Sequence, residues 1–177
     1  MRQRIIALDN DSIAEELGIK PGFFLLRIND EDVEDVIDYE QLTAETHVTL
    51  ELETKSGKIV TAEVDKEEYE PLGIYFESGL MSKVRSCKNK CVFCFIDQMP
   101  KGGRDTLHFK DDDWRLSLIM GNYVSLTNVD DKEFDRILRR RVSPLYVSIH
   151  ATDGAVRTRM MANPSAARIM ERLTALK

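Results

Sequence analysis

All three cysteines of this chain fall within eight residues, Cys87-Lys88-Asn89-Lys90-Cys91-Val92-Phe93-Cys94. A disulfide framework disperses its cysteines in pairs, so an odd, clustered set argues against one and fits a reducing cytoplasm. Thiolates are preferred by soft metal centres and iron–sulfur clusters. Spaced C-x3-C-x2-C, they can hold three irons of a [4Fe–4S] cluster and leave the fourth open to a small molecule. A zinc site would need a fourth ligand, from His108 or His150, and its usual C-x2-C pairing is absent at the first step.

The charge distribution divides the chain near this loop. Residues 1–80 carry 7 Lys and Arg against 20 Asp and Glu, a net of −13, while residues 81–177 are net +7. The change of sign suggests a module boundary and attraction between the halves. The basic run Arg139-Arg140-Arg141 could touch a phosphate backbone. One short cluster is usually a solvated surface, so nucleic acid is the lesser reading. Hydrophobic residues at 42% with 32% charged residues describe an ordinary globular chain. No apolar run approaches the ~18–20 residues that span a bilayer, and the N-terminus lacks the apolar core of a signal peptide.

The acidic half reads as a small α+β unit. Ile5-Ile6-Ala7-Leu8 is a short strand. Asp11 or Ser12 can cap a brief helix from Ser12 to Leu17, with Glu15 three residues after Ser12 as in a capping box and Gly18 as the stop. Pro21-Gly22 turns into the apolar run 23–28, and a second helix is expected over residues 33–42. Val48 to Glu53 and Ile59 to Val64 alternate around Lys55-Ser56-Gly57-Lys58, which predicts a hairpin. The stretch 12–29, with Gly18-Ile19-Lys20-Pro21-Gly22 and then Ile28-Asn29, resembles a bacterial PDZ domain. Pro71-Leu72-Gly73-Ile74-Tyr75-Phe76 resembles the carboxylate-receiving loop of that family, placed at the end as in a circular permutation. The resemblance implies a PDZ-like domain over 1–78, with Leu72, Gly73 and Ile74 receiving a peptide by strand addition. The alternative is a PDZ-shaped spacer docked on the chain's own second domain, which the net charge of −13 favours.

Past the cysteines, residues 115–120 read as an apolar strand ending on Gly121-Asn122-Tyr123. A helix is expected from Asp130 to Arg141, with Phe134, Ile137 and Leu138 on one face. Leu145 to His150 forms another strand and Ser165 to Leu176 a last helix. Strand, helix, strand, helix is the pattern of a parallel sheet with helical crossovers, whose sites gather at strand C-terminal ends. The cysteine loop, Gly121-Asn122-Tyr123 and His150-Ala151-Thr152 would then share one rim. Met120, Met160, Met161 and Met170 are expected to pack. Asp111-Asp112-Asp113 is expected to be a solvated helix start, and His47 and His108 surface residues.

This half resembles the radical S-adenosylmethionine (radical SAM) superfamily, on Cys87, Cys91 and Cys94 with the aromatic Phe93 before the third cysteine. The resemblance implies a [4Fe–4S] cluster on those cysteines, S-adenosylmethionine on the open iron, and Phe93 near its adenine. Gly121-Asn122-Tyr123 falls where the superfamily has a Gly-Gly-Glu motif for the methionine amino group, though without the carboxylate. Ser148 and His150, at the next strand end, stand where side chains commonly reach that cofactor. The implied chemistry is reductive cleavage to methionine and a 5′-deoxyadenosyl radical, with flavodoxin or ferredoxin as a typical reductant. Substrate and catalytic residues are left unspecified.

The fold class expected is therefore α/β: a PDZ-like α+β domain at 1–78, then an incomplete (βα) radical SAM partial barrel at 79–177. A PDZ-like module ahead of such a half resembles bacterial PDZ-bearing Fe–S oxidoreductases. Fewer βα units fit in 79–177 than such a core contains, so a C-terminally truncated fragment is expected. The alternative function is a peptide-binding module with a structural or redox-sensing cluster.

Overall fold

A computed structural model describes residues 2–177. The chain divides into two compact units between Lys83 and Val84.

In the first unit, β1 (Gln3–Leu8) leads to the one-turn helix α1 (Ile13–Glu16). Ser12 Oγ accepts from Glu15 N at 3.3 Å, while Glu15 Oε2 accepts from Asp11 N at 2.8 Å. Two of the orphan amides of the helix start are thus satisfied reciprocally. β2 (Phe24–Ile28) and β3 (Glu31–Asp32) flank Asn29 and Asp30, both at positive φ, as a two-residue hairpin turn requires. α2 (Val36–Thr43) starts three residues later than expected because Asp35, accepting from Ile37 N at 3.0 Å, is its cap.

β4 (His47–Glu53) and β5 (Ile59–Asp65) form the hairpin, and β6 (Ile74–Phe76) closes the unit. The sheet runs β5-β4-β2-β1-β6, antiparallel throughout, so β6 keeps one unpaired edge. Alternation in β4 buries Val48, Leu50 and Leu52 with Ile5, Leu25, Ile28 and Leu72, all at most 1% exposed. Each such side chain contributes roughly 1.5–3 kcal/mol by leaving water.

In the second unit, residues 115–120 are not a strand. They belong to α3 (Trp114–Met120). Its cap is Asp113, whose carboxylate accepts from Arg115 N at 3.1 Å. Its end is Gly121 at φ 76, with Gly121 N donating to Ser117 O and Asn122 N to Leu116 O. A six-residue run with four apolar side chains does not by itself distinguish strand from helix, whereas the Asp cap and the left-handed glycine do. Gly121-Asn122 therefore precedes a strand instead of terminating one.

That strand is β7 (Tyr123–Val124), followed by α4 (Asp131–Arg139), capped by Asp130, and β8 (Tyr146–Val147). β7 and β8 pair in parallel through the α4 crossover, Tyr123 opposite Tyr146 and Val124 opposite Val147. α5 (Gly154–Met161), capped by Asp153, is a helix the sequence reading did not assign. The last expected helix is split, with a 3-10 turn over Pro164–Arg168 before α6 (Ile169–Leu176).

Two further expectations are corrected. Asp112 and Asp113 are buried, at 4% and 0% exposed, because a network of donors replaces their water. Of the methionines, Met161 is buried, but Met120 and Met170 are 69% and 46% exposed, lying on outer helix faces. His47 and His108 are exposed. No helix among the described residues is long and apolar enough to cross a membrane.

Candidate functional site

The cysteine loop has no helix or strand of its own and is held by what surrounds it. Cys87 N donates to Lys110 O at 2.8 Å, Lys90 N to Met161 O at 3.0 Å and Val92 N to Met160 O at 2.9 Å. The end of α5 thus supports the segment between the first and second cysteines and just beyond. Asn89, 3% exposed, is its internal pin. Its amide nitrogen donates to Ser125 Oγ at 3.0 Å, and its oxygen accepts from Thr127 Oγ1 at 2.9 Å and Asn163 Nδ2 at 2.7 Å. Beneath it, the Asp112 carboxylate accepts from Ser125 N and Ser125 Oγ, both at 2.6 Å. Burial pushes the Asp112 pKa up, against the pull of those donors.

A neighbouring carboxylate behaves oppositely. Burial alone would raise Asp113, but Arg115, paired with it at 2.6 Å, and the amides of Arg85 and Arg115 hold it below its ordinary value. The pair is fully buried, so removing either partner would strand a charge.

The three cysteines are free thiols and open on one cavity of about 630 Å³. Burial raises the pKa of Cys87 and of Cys91, and for Cys91 the neighbouring Cys87 and Cys94 raise it further. Phe93 shares the cavity wall, with its ring centroid 4.6 Å from that of His150. His150 sits at φ 63, a left-handed conformation that turns it back towards the cavity after β8. Burial first, and then Arg157, lower its pKa and favour neutral imidazole.

Arg157, 1% exposed, fixes that turn. Its guanidinium donates to Ile149 O at 2.8 Å and to Ser148 O, Ser125 O and Ala166 O, each at 2.9 Å. Gly121, Asn122, Tyr123 and Ser148 also line the cavity. The structure thus brings together Cys87, Cys91, Phe93, Cys94, Gly121, Asn122, Tyr123, Ser148 and His150. Gly121 and Asn122 arrive from the end of α3, and Asn122 Nδ2 donates to Asp111 Oδ2 at 3.0 Å.

Sequence reasoning assigned no role to Asn89, Lys110 or Arg157 and read Asp112 as part of a solvated helix start. The one local signal was Asn89, an amide inside the cysteine spacing.

His108 does not reach the cavity wall, so the zinc reading lacks one of its two possible fourth ligands. Among the described residues, no group of three His, Cys, Asp or Glu side chains is arranged around a single ion. Thiolates on separate irons of a cluster stand further apart than thiolates on one ion. An all-thiol donor set on an open, partly apolar cavity fits a cluster in its chemistry.

Leu72, Gly73 and Ile74 belong to the first unit. They line a cavity of about 250 Å³ with Tyr39, Glu40 and Thr43 of α2 and with Asp9, Tyr69 and Glu70. Gly73, at φ 75, could not carry a side chain, because a Cβ there would stand 2.5 Å from Ser12 Cβ. Tyr75 donates its hydroxyl to Asp9 at 2.9 Å.

Fold and cavity together define a mixed α/β protein whose cysteines converge on one open chamber. A family profile described as a radical SAM-like domain matches residues 66–177, more than half of the chain. The chain belongs to that family. No curated protein matches it.

Proposed function

We propose that the chain is a radical SAM enzyme that holds a [4Fe–4S] cluster on Cys87, Cys91 and Cys94 and S-adenosylmethionine beside it. The observation that carries this reading is the convergence of every cysteine of the chain on one cavity with Phe93 in its wall. When bound, the cluster and S-adenosylmethionine supply one-electron cleavage of the sulfonium to a carbon radical. The protein's part is to fix and to shield. Asn89 and α5 hold the loop, Arg157 sets the Ser148–His150 turn, and Phe93 offers an aromatic face for an adenine. Asn122 and the backbone around Gly121 stand in for the missing carboxylate as partners of an amino group. Apolar walls limit water around a radical. A reductant of the flavodoxin or ferredoxin kind and a reducing cytoplasm complete the reading.

Anaerobic reconstitution with iron and sulfide tests it. The expected result is a cluster whose EPR signal changes on adding S-adenosylmethionine. A signal indifferent to S-adenosylmethionine overturns the enzyme reading. Replacing Cys87, Cys91 and Cys94 by Ala should abolish the cluster.

A second reading concerns the first unit, as a PDZ-like peptide-binding module over residues 1–78. It is supported by the groove between α2 and the unpaired edge of β6, with Leu72, Gly73 and Ile74 at one end. A library of C-terminal peptides tests it. Absence of binding would favour a role in docking on the chain's own second domain.

A further inference from the structure

Among the described residues lining the cysteine cavity, Lys110 is the one lysine or arginine, and a carboxylate holds it in place. Its Nζ donates to both carboxylate oxygens of Asp97 at 2.8 Å and to Asn89 O at 3.4 Å. Both residues are tied to the cysteines. Lys110 accepts the amide of Cys87 through its own carbonyl, at 2.8 Å. Asp97 lies three residues after Cys94, against its thiol. Lys110 shares the cavity wall with Cys87, Cys91 and Cys94. Its side chain is only 22% exposed and that of Asp97 is 49% exposed, so solvent screens the pair incompletely.

Two opposite charges at 2.8 Å largely cancel for a third charge several ångströms away. Remove one, and the survivor acts alone. A cluster gains negative charge when it takes up an electron, so a nearby cation favours the reduced form and a nearby anion disfavours it. Asp111 also lines the cavity, engaged by Asn122, and is common to every form compared below.

We propose that Lys110 and Asp97 form a balanced charge pair whose two members bear in opposite directions on the reduction potential of the cluster on Cys87, Cys91 and Cys94. Lys110 raises that potential and Asp97 lowers it. The inference rests on the cluster reading. Both are positioning residues that act through the thiolates.

The test is a dithionite redox titration of the reconstituted full chain, read by EPR of the reduced cluster, with iron counted per chain. Lys110→Met is expected to shift the midpoint to lower potential and Asp97→Asn to higher potential. The double variant is expected close to wild type, and so is Lys110→Arg, which keeps the charge. A purely structural role would move both single variants the same way. Shifts of equal sign, or no shift at wild-type iron content, overturn the proposal. If Lys110→Met fails to load, Asp97→Asn decides alone, and a midpoint at or below wild type overturns the pair. If Asp97→Asn also fails to load, the pair is structural and the proposal is overturned. A wild-type chain that takes up no cluster overturns the cluster reading itself, a result distinct from all of these.

Discussion

Asn89 and Ser125 are 36 residues apart in sequence, yet the Asn89 amide donates to the Ser125 hydroxyl at 3.0 Å in the buried floor of the cysteine loop. The contact makes the loop part of the β7 region although the loop has no regular structure of its own. Asn89→Ala leaves Ser125, Thr127 and Asn163 without a shared partner. Ser125 and Thr127 keep each other and Asp112 as partners, while the Asn163 amide loses its Asn89 acceptor, and a buried polar group left unpaired costs about 1–3 kcal/mol. The expected outcome is a lower Tm with iron per chain reduced on reconstitution. Unchanged loading would show that the cysteines find their geometry without this pin.

Arg157→Met removes four hydrogen bonds to backbone carbonyls in one step. The methionine fills part of the volume but donates nothing, so several carbonyls lose their partners. A loss of more than about 3 kcal/mol in denaturant unfolding is expected, at the upper end of single substitutions. Arg157→Lys should recover only part of it, because an ammonium cannot reach four acceptors in the plane of a guanidinium.

Gly121→Ala separates backbone conformation from crowding. The nearest atom to an added Cβ is Tyr146 Cε2 at 3.8 Å, an ordinary contact. The cost is therefore the left-handed φ of 76, about 1–2 kcal/mol. Thermal unfolding should report that loss, while Gly121→Asn, which tolerates this conformation better, should lose less.

His150 should titrate below the ordinary imidazole range, since burial and Arg157 disfavour its charged form. With the folded pKa depressed, the unfolded chain binds the proton first. The stability His150 contributes is thus full above the unfolded value and falls as pH drops through that value towards the folded one. NMR of the imidazole should place its midpoint below that of the denatured chain. His150→Asn, which keeps a residue suited to positive φ, should flatten the dependence of Tm on pH between about 7 and 5.

What was legible in the sequence follows the range of the interactions concerned. The β4–β5 hairpin, the Ser12 and Asp130 caps and the α4 crossover are encoded within a few residues by alternation, capping and turn chemistry. α3 was encoded just as locally, by Asp113 and Gly121 at its two ends, and the apolar run between them drew the strand reading instead. α5 carries no amphipathic stripe. Its buried side chains are Arg157 and Met161, and an arginine buried for its hydrogen bonds does not register as apolar periodicity.

By itself, the sequence determined the three-thiol set and its spacing, because ligand type and reach are local properties of a short loop. It also determined the acidic and basic halves. Only the tertiary structure decided that Asn89, Lys110, Asp112 and Arg157 stand behind that loop, that Asp112 and Asp113 are dry, and that Gly121 enters the cavity from a helix end. A buried polar group is stable only where distant partners replace its water. Which partners those are is fixed by how the elements pack, and composition along the chain does not record it.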